Sequence, residues 1–136
     1  MTSGTDRGRH AYLDSSALLK LVGHETATEA LKRAVGELSS QASSDLAVVE
    51  VGRRARHFGT AAEERARKVL ARTRLRPIDR GILDLAAGLD PLGLRSLDAI
   101  HLATALTLEP LDVFISYDRR LNEAAIAAGL TVESPA

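Results

Sequence analysis

The chain has 136 residues, a formal net charge of zero and no cysteine. That length fits one domain, and the lack of cysteine excludes a disulfide framework and a thiolate metal site. No apolar run approaches the roughly 20 residues that span a bilayer, so no membrane association is expected. Hydrophobic residues make up 45% of the chain but aromatics only 3%, so the core must be built from Leu, Val, Ile and Ala. The opening MTSGTDRGRH has no apolar centre of a signal peptide. Residues 1–9 therefore read as a disordered leader to a single domain over 10–136, and the composition fits a reducing cytoplasm.

In chain order, His10–Leu13 reads as a first strand ending in Asp14, and Ser15–Val22 as a short helix stopped by Gly23. Thr26–Leu38 carries apolar or Ala residues at 27, 30, 31, 34, 35 and 38, the stripe of a helix. Ser39–Ser43 has poor strand composition, but the alternation of elements requires a strand there. Ser44 is placed to cap a helix over Asp45–His57 that Gly59 ends, and Thr60 to cap a helix over Ala61–Arg72. Leu75–Ile78 reads as a strand, and Asp79 caps a helix to about Ala87. Gly88, Pro91 and Gly93 mark a loop. Ser96 then caps a helix through Leu108. Val113–Ser116 reads as a strand, Asp118–Ala128 as a helix and Leu130–Val132 as a last strand. Strands alternating with helices predict a parallel sheet with right-handed crossovers and helices on both faces. Ligands of such sheets bind beyond the carboxyl ends of the strands.

Four acids stand beside apolar segments: Asp14 in YLDSSALLKL, Glu50 in DLAVVEVGRR, Asp98 in LRSLDAIHLATAL and Asp118 in FISYDRRL. Asp14 and Asp118 fall at strand ends, Asp98 in the first turn of a helix, and Glu50 one or two turns inside one. A carboxylate in such a place is costly unless water, a cation or a donor satisfies it. Four that converge repel one another unless a divalent metal lies between them. The set points to a Mg²⁺- or Mn²⁺-dependent enzyme acting on phosphodiesters. Each acid also has an ordinary explanation. Asp14 and Asp118 suit helix caps, Asp98 gains from the helix macrodipole, and Glu50 can pair with Arg54 at i,i+4. Together those explanations require four coincidences. His10, His24, His57 and His101 lack zinc-site spacing, and no nucleotide-cradling glycine motif is present. His101, three positions and about one turn after Asp98, could support the site from behind, but a half-buried helix histidine is the better reading.

These segments resemble the PIN domain, specifically the toxin subunit of VapBC toxin–antitoxin modules, from about His10 to Val132. YLDSSALLKL resembles the family's opening strand and SSDLAVVEVGRRAR the helix that bears its glutamate. LRSLDAIHLATAL resembles the aspartate that opens an Ala-rich helix, and FISYDRRLNEAA the last motif. There Ser116 stands where Thr is more usual. The resemblance implies a three-layer α/β/α sandwich with a five-stranded parallel sheet in the order 3-2-1-4-5. It implies a Mg²⁺- or Mn²⁺-dependent endoribonuclease, a homodimer, a cognate antitoxin, and structured RNA of the tRNA or rRNA class as substrate.

On this reading Asp14, Asp98 and Asp118 ligate the metal, and Glu50 orients a water or helps hold a second ion. Ser116, with Ser15 or Ser16, bonds the carboxylates or metal-bound water. Between Arg53 and Arg80 ten Arg or Lys face three acids. Arg53, Arg54 and Arg65 are the candidates for RNA phosphates, against the alternative of a solvated face. The rival to the enzyme is a PIN fold that only binds RNA or a partner. A receiver-like phosphoacceptor domain would need an acidic pair after the first strand and a lysine near the last. A haloacid-dehalogenase-like phosphatase would need D-x-D where Asp14-Ser15-Ser16 stands.

Overall fold

The computed structural model describes residues 8–23 and 26–136, with the backbone alone at 26 and 27. Residues 1–7 of the expected leader lie outside the described residues. Five strands, β1 (Arg9–Leu13), β2 (Leu38–Ser44), β3 (Arg74–Arg76), β4 (Val113–Ile115) and β5 (Val132–Glu133), form one sheet. Every pairing is parallel and the order is β3-β2-β1-β4-β5, as expected. The helices are α1 (Ser15–Val22), α2 (Thr26–Gly36), α3 (Leu46–His57), α4 (Thr60–Ala71), α5 (Arg80–Ala87), α6 (Ser96–Leu106) and α7 (Arg119–Ala127).

Alternation along the central strands divides the core. Ala11 and Leu13 of β1, with Val113 and Ile115 of β4, pack among Leu18, Leu31, Val51 and Val69 from α1 to α4. Tyr12 and Phe114 lie in a second cluster, with Leu102 of α6 and Leu121 and Ala125 of α7. The two rings are register partners and stack with centroids 5.4 Å apart and planes at 3°. Ile82 and Ala86 of α5 meet Ala99 and Ala103 of α6 in a third cluster. Apolar residues on both faces are what an all-parallel sheet requires.

β2 (LSSQASS) forms despite its composition. It is flanked by β1 and β3, so its backbone ladder is satisfied on both sides. Two of its buried polar side chains, Gln41 and Ser44, also find partners, whereas Ser43 Oγ is buried with none among the described residues. The Gln41 amide donates to Thr73 Oγ1 (2.9 Å), and that hydroxyl donates to the Val69 carbonyl (2.7 Å). Ser44 Oγ accepts from the Leu46 N–H at 3.0 Å. Tertiary pairing overrides the weak strand preference.

Several boundaries differ from expectation. β1 begins at Arg9, whose register partner is Leu38, so the ladder claims Leu38 from the end of α2. Thr60 and Ser96 are the first residues of α4 and α6, not caps. Gly59 caps α4 at φ +98°, a conformation that only glycine adopts readily, and Arg95 caps α6. Asp45 holds the N-cap position of α3, although the capping bond comes from Ser44. Helix α6 stops at Leu106, two residues before the expected end. β3 starts one residue before the expected strand, and β5 starts two residues after it. Among the described residues no helix is long and apolar enough to cross a membrane.

Candidate active site

The carboxyl ends of β1 and β4 lie side by side, and two hydroxyls stitch them together. Asp14 caps α1, its Oδ1 accepting from the Ala17 N–H (3.0 Å) and the Ser16 hydroxyl (2.6 Å). Its Oδ2 accepts from the Ser116 hydroxyl at 2.8 Å. Ser116 Oγ in turn accepts from the Asp118 N–H (3.0 Å), and Ser16 Oγ from the Tyr117 N–H (2.9 Å). Asp118 caps α7, its Oδ1 accepting from the Leu121 N–H at 3.0 Å. The cap readings of Asp14 and Asp118 are therefore correct, and they do not exhaust either residue.

Burial pushes the Asp14 carboxyl above the usual range, against the three donors that pull it down. Asp98, in the first turn of α6, is also raised. Partial burial is the main cause and the nearby charge of Asp118 the next; Asp14 adds to it, while Arg95 and His101 oppose it. Asp98 thus shares one electrostatic neighbourhood with Asp118 and Asp14. Among the described residues no three His, Asp or Glu side chains are gathered closely enough to enclose an ion by themselves. The donors are all oxygen, which suits a hard cation that keeps much of its water over zinc.

Glu50 lies on α3 and is held differently. Its Oε1 accepts a short hydrogen bond from the Ser15 hydroxyl and another from His101 Nε2 at 2.8 Å. The same imidazole lies with Nε2 3.1 Å from Ser15 Oγ and Nδ1 2.6 Å from the Tyr12 hydroxyl. Burial pushes the Glu50 carboxyl up, but the hydrogen bonds from His101 and Ser15 outweigh it and hold the group below the usual range. Burial keeps the Tyr12 phenol well above its ordinary value, hence protonated. The expected Glu50–Arg54 pair is not formed, and Arg54 lies over the Phe58 ring at 5.5 Å. Nor is His101 half-buried. It is 2% exposed and joined to Glu50, because α6 turns its inner face toward β1 and α3. Its spacing of one turn from Asp98 was the available signal. Tyr12, two positions before Asp14, gave none.

Beside this edge lies a cleft of about 560 Å³ whose lining includes Ser16, Lys20, Arg54, Phe58, Arg65 and Tyr117. Arg65 Nε donates to the Val22 carbonyl (2.6 Å), and Lys20 lies 4.7 Å from the centre of the Tyr117 ring. Ser16 links the cleft to Asp14. Arg53 does not join Arg54 and Arg65. With Arg56 and His57 it lines a separate depression of about 320 Å³. Arg67, Arg76 and Arg80 are paired locally with Glu64, Asp79 and Asp84.

Residues 11–127 match the family model of the PIN domain. Ribonuclease VapC46 of Mycobacterium tuberculosis is 43% identical over 125 residues, covering 91% of this chain and 96% of that protein. Ribonuclease VapC35 of the same species is 40% identical over 129 residues, with 91% and 96% covered. A toxin–antitoxin complex from Klebsiella pneumoniae aligns with a TM-score of 0.71 and 25% identity, over 93% of this chain and 98% of that one. The crystal structure of M. tuberculosis VapC20, a sarcin–ricin loop cleaving toxin, aligns with a TM-score of 0.72 over 92% and 99%. At 16% identity it speaks to the fold alone. The sheet order, the family match and the identity over nearly the whole chain agree: this chain belongs to the PIN-domain family and groups there with the VapC ribonucleases.

Proposed function

We propose that the chain is a metal-dependent endoribonuclease, the toxin of a type II toxin–antitoxin pair, working in the cytoplasm. The observation that carries the reading is the gathering of Asp14, Asp98 and Asp118 at the carboxyl edge of the sheet, where Asp98 feels the charges of the other two. Burial and neighbouring charge make two of the three reluctant to ionise. A divalent cation relieves that cost. When bound, Mg²⁺ or Mn²⁺ would lower the pKa of a coordinated water and offset charge on the phosphoryl oxygens.

The side chains take distinct parts. Asp14 and Asp98 would hold the ion most directly, and Asp118 would do so directly or through water. Ser116 and Ser16 fix the rotamer of Asp14 by bonding one oxygen each. Glu50 orients the attacking water. Arg54 and Arg65 engage RNA phosphates along the cleft, and Arg53 meets the RNA backbone farther from the acids. The substrate is a structured RNA of the tRNA or rRNA class, and the enzyme acts as a homodimer. A cognate antitoxin silences it by placing a basic side chain among the carboxylates, where it competes with the metal.

Growth after induction, with sequencing of new RNA ends, tests this. Wild type should arrest growth and create discrete ends; Asp14→Asn and Asp98→Asn should do neither while remaining folded. Co-expression of a small reading frame encoded beside the gene should restore growth and yield a stable complex. Equal toxicity of wild type and both variants would sink the assignment. RNA binding without cleavage by the wild type would leave a binding module in its place.

A further inference from the structure

Glu50 has three side-chain torsions and stands in the second turn of α3, so nothing in its own helix fixes where its carboxylate goes. A misplacement of about 1 Å costs on the order of 100-fold in rate at a reacting centre. The structure supplies a restraint from outside α3. Both protein hydrogen bonds to Glu50 fall on one oxygen, Oε1, from Ser15 of α1 and His101 of α6. Among the described residues Oε2 is left with no protein donor. We propose that His101 is a positioning residue, clamping Glu50 by Oε1 so that Oε2 accepts the hydrogen of the attacking water. This inference rests on the ribonuclease reading of the site.

The hydrogen-bond chemistry permits one neutral arrangement of the imidazole. An ionised carboxylate only accepts, so Nε2 must carry the hydrogen that faces Glu50. Nδ1 then bears a lone pair, and the Tyr12 hydroxyl 2.6 Å away donates to it. A hydrogen bond at one ring nitrogen thereby sets which hydrogen the other presents. Tyr12 and His101 are 0% and 2% exposed, so bulk water does not reach these contacts. The imidazole also joins three acid-bearing segments: β1, which runs into Asp14; α6, which bears Asp98; and α3, which bears Glu50. If it merely filled the core, its loss would weaken folding equally whether or not Glu50 were present. A clamp matters to rate only while Glu50 is there to be held.

The test is a double-mutant cycle. Single-turnover cleavage of an end-labelled, random-sequence RNA pool with Mg²⁺ is measured alongside melting temperature. His101→Leu, His101→Gln and Tyr12→Phe are each made with Glu50 intact and with Glu50→Ala. His101→Leu should slow cleavage by about 10–100-fold, the usual cost of losing an outer hydrogen-bond partner of a site. His101→Gln, whose amide N–H reaches the place of Nε2, should restore most of the rate. Tyr12→Phe keeps the core volume and should slow cleavage several-fold. In Glu50→Ala none of the three should change the rate further, and His101→Leu should lower the melting temperature less than it does with Glu50 intact, because the bond between them is already gone.

Rate losses that multiply across the cycle would overturn the inference, because His101 would then act without Glu50. So would a glutamine variant as slow as leucine. If His101→Leu does not fold, the other two variants carry the same cycle, and an unchanged rate in Tyr12→Phe with Glu50 intact would overturn it. An inactive Glu50→Ala beside a fully active His101→Leu removes this inference alone. A fully active Glu50→Ala beside an inactive Asp14→Asn removes Glu50 from the site and His101 with it.

Discussion

Asp14 and Glu50 serve the same edge of the sheet and are held in opposite ways. Asp14 is 3% exposed and receives three donors, yet burial keeps its carboxyl above the usual range. The Glu50 side chain is 25% exposed and receives two donors on one oxygen, and its carboxyl sits below that range. Desolvation, not the number of donors, decides the difference. Burial makes one carboxylate reluctant to ionise; hydrogen bonds stabilise the other as an anion. Environments that push two acids apart in this way commonly mark two chemical parts. On the proposed reading the division falls between holding an ion and handling a water.

The largest expected effect is on cleavage. Asp14→Asn or Asp98→Asn should lower the rate by more than about 100-fold, beyond the usual cost of an outer hydrogen-bond partner. Glu50→Gln should lose less, since its amide oxygen can still take the Ser15 donor. Kinetics on one labelled RNA with Mg²⁺ would show it, and equal losses would erase the distinction.

A second separation is expected in metal response. Ion binding to the folded state alone adds about 2.7 kcal/mol when the ion is at roughly 100 times its dissociation constant. Melting curves with Mg²⁺ and Mn²⁺ should show this gain in wild type and Glu50→Gln but not in Asp14→Asn. A gain retained in Asp14→Asn would move the ion elsewhere.

Without metal the two acids should respond to pH with opposite signs. The folded pKa of Asp14 lies above its unfolded value of about 3.9, so its ionisation penalises the native state above that window and the penalty fades as pH falls. Asp14→Asn should therefore gain on wild type as pH rises. The folded pKa of Glu50 lies below its unfolded value of about 4.3, so its contribution is full above that value and is lost as pH falls through the folded pKa. Glu50→Gln should trail wild type near neutrality, because its hydrogen bonds are no longer made to an anion. The gap should close in acid. Chemical denaturation in chelator across that range measures both trends.

The smallest effect concerns the basic residues. Charge reversal at Arg54 and Arg65 should weaken RNA binding and flatten its salt dependence by about one unit of slope for each phosphate no longer neutralised. Reversal at Arg53 alone should do less, because it lines a different depression. Identical slopes would make the whole cluster an ordinary solvated face.

Where local pattern decides, the sequence was readable. Asp14, Asp79 and Asp118 cap their helices as the residue types suggest, and α1 spans the eight residues between Asp14 and Gly23. The parallel pairing followed from the strand–helix alternation, and the sheet order from the family resemblance alone. Strand edges were less legible, because the register of β5 is set by pairing with β4 and not by the apolar Leu130 and Val132. At the site, the four acids were visible as acids in apolar settings. The Tyr12–His101–Glu50 chain was not, since it joins positions 12, 50 and 101 through side-chain hydrogen bonds that no periodicity encodes. Likewise Arg53 and Arg54 are neighbours in sequence, but about 100° of helical turn sends them to different depressions.

The hydrogen bond from Ser116 to Asp14 spans 102 positions of chain. At about 5–20 residues per second, a ribosome needs roughly 5–20 s to travel between them. Until β4 emerges, β1 lacks one of its two neighbours, Tyr12 has no Phe114 to stack on, and Asp14 has neither its Oδ2 partner nor Asp118 nearby. Pairings so distant in sequence also form slowly. The acidic centre therefore cannot assemble until β4 has been made, whatever the state of the strands before it.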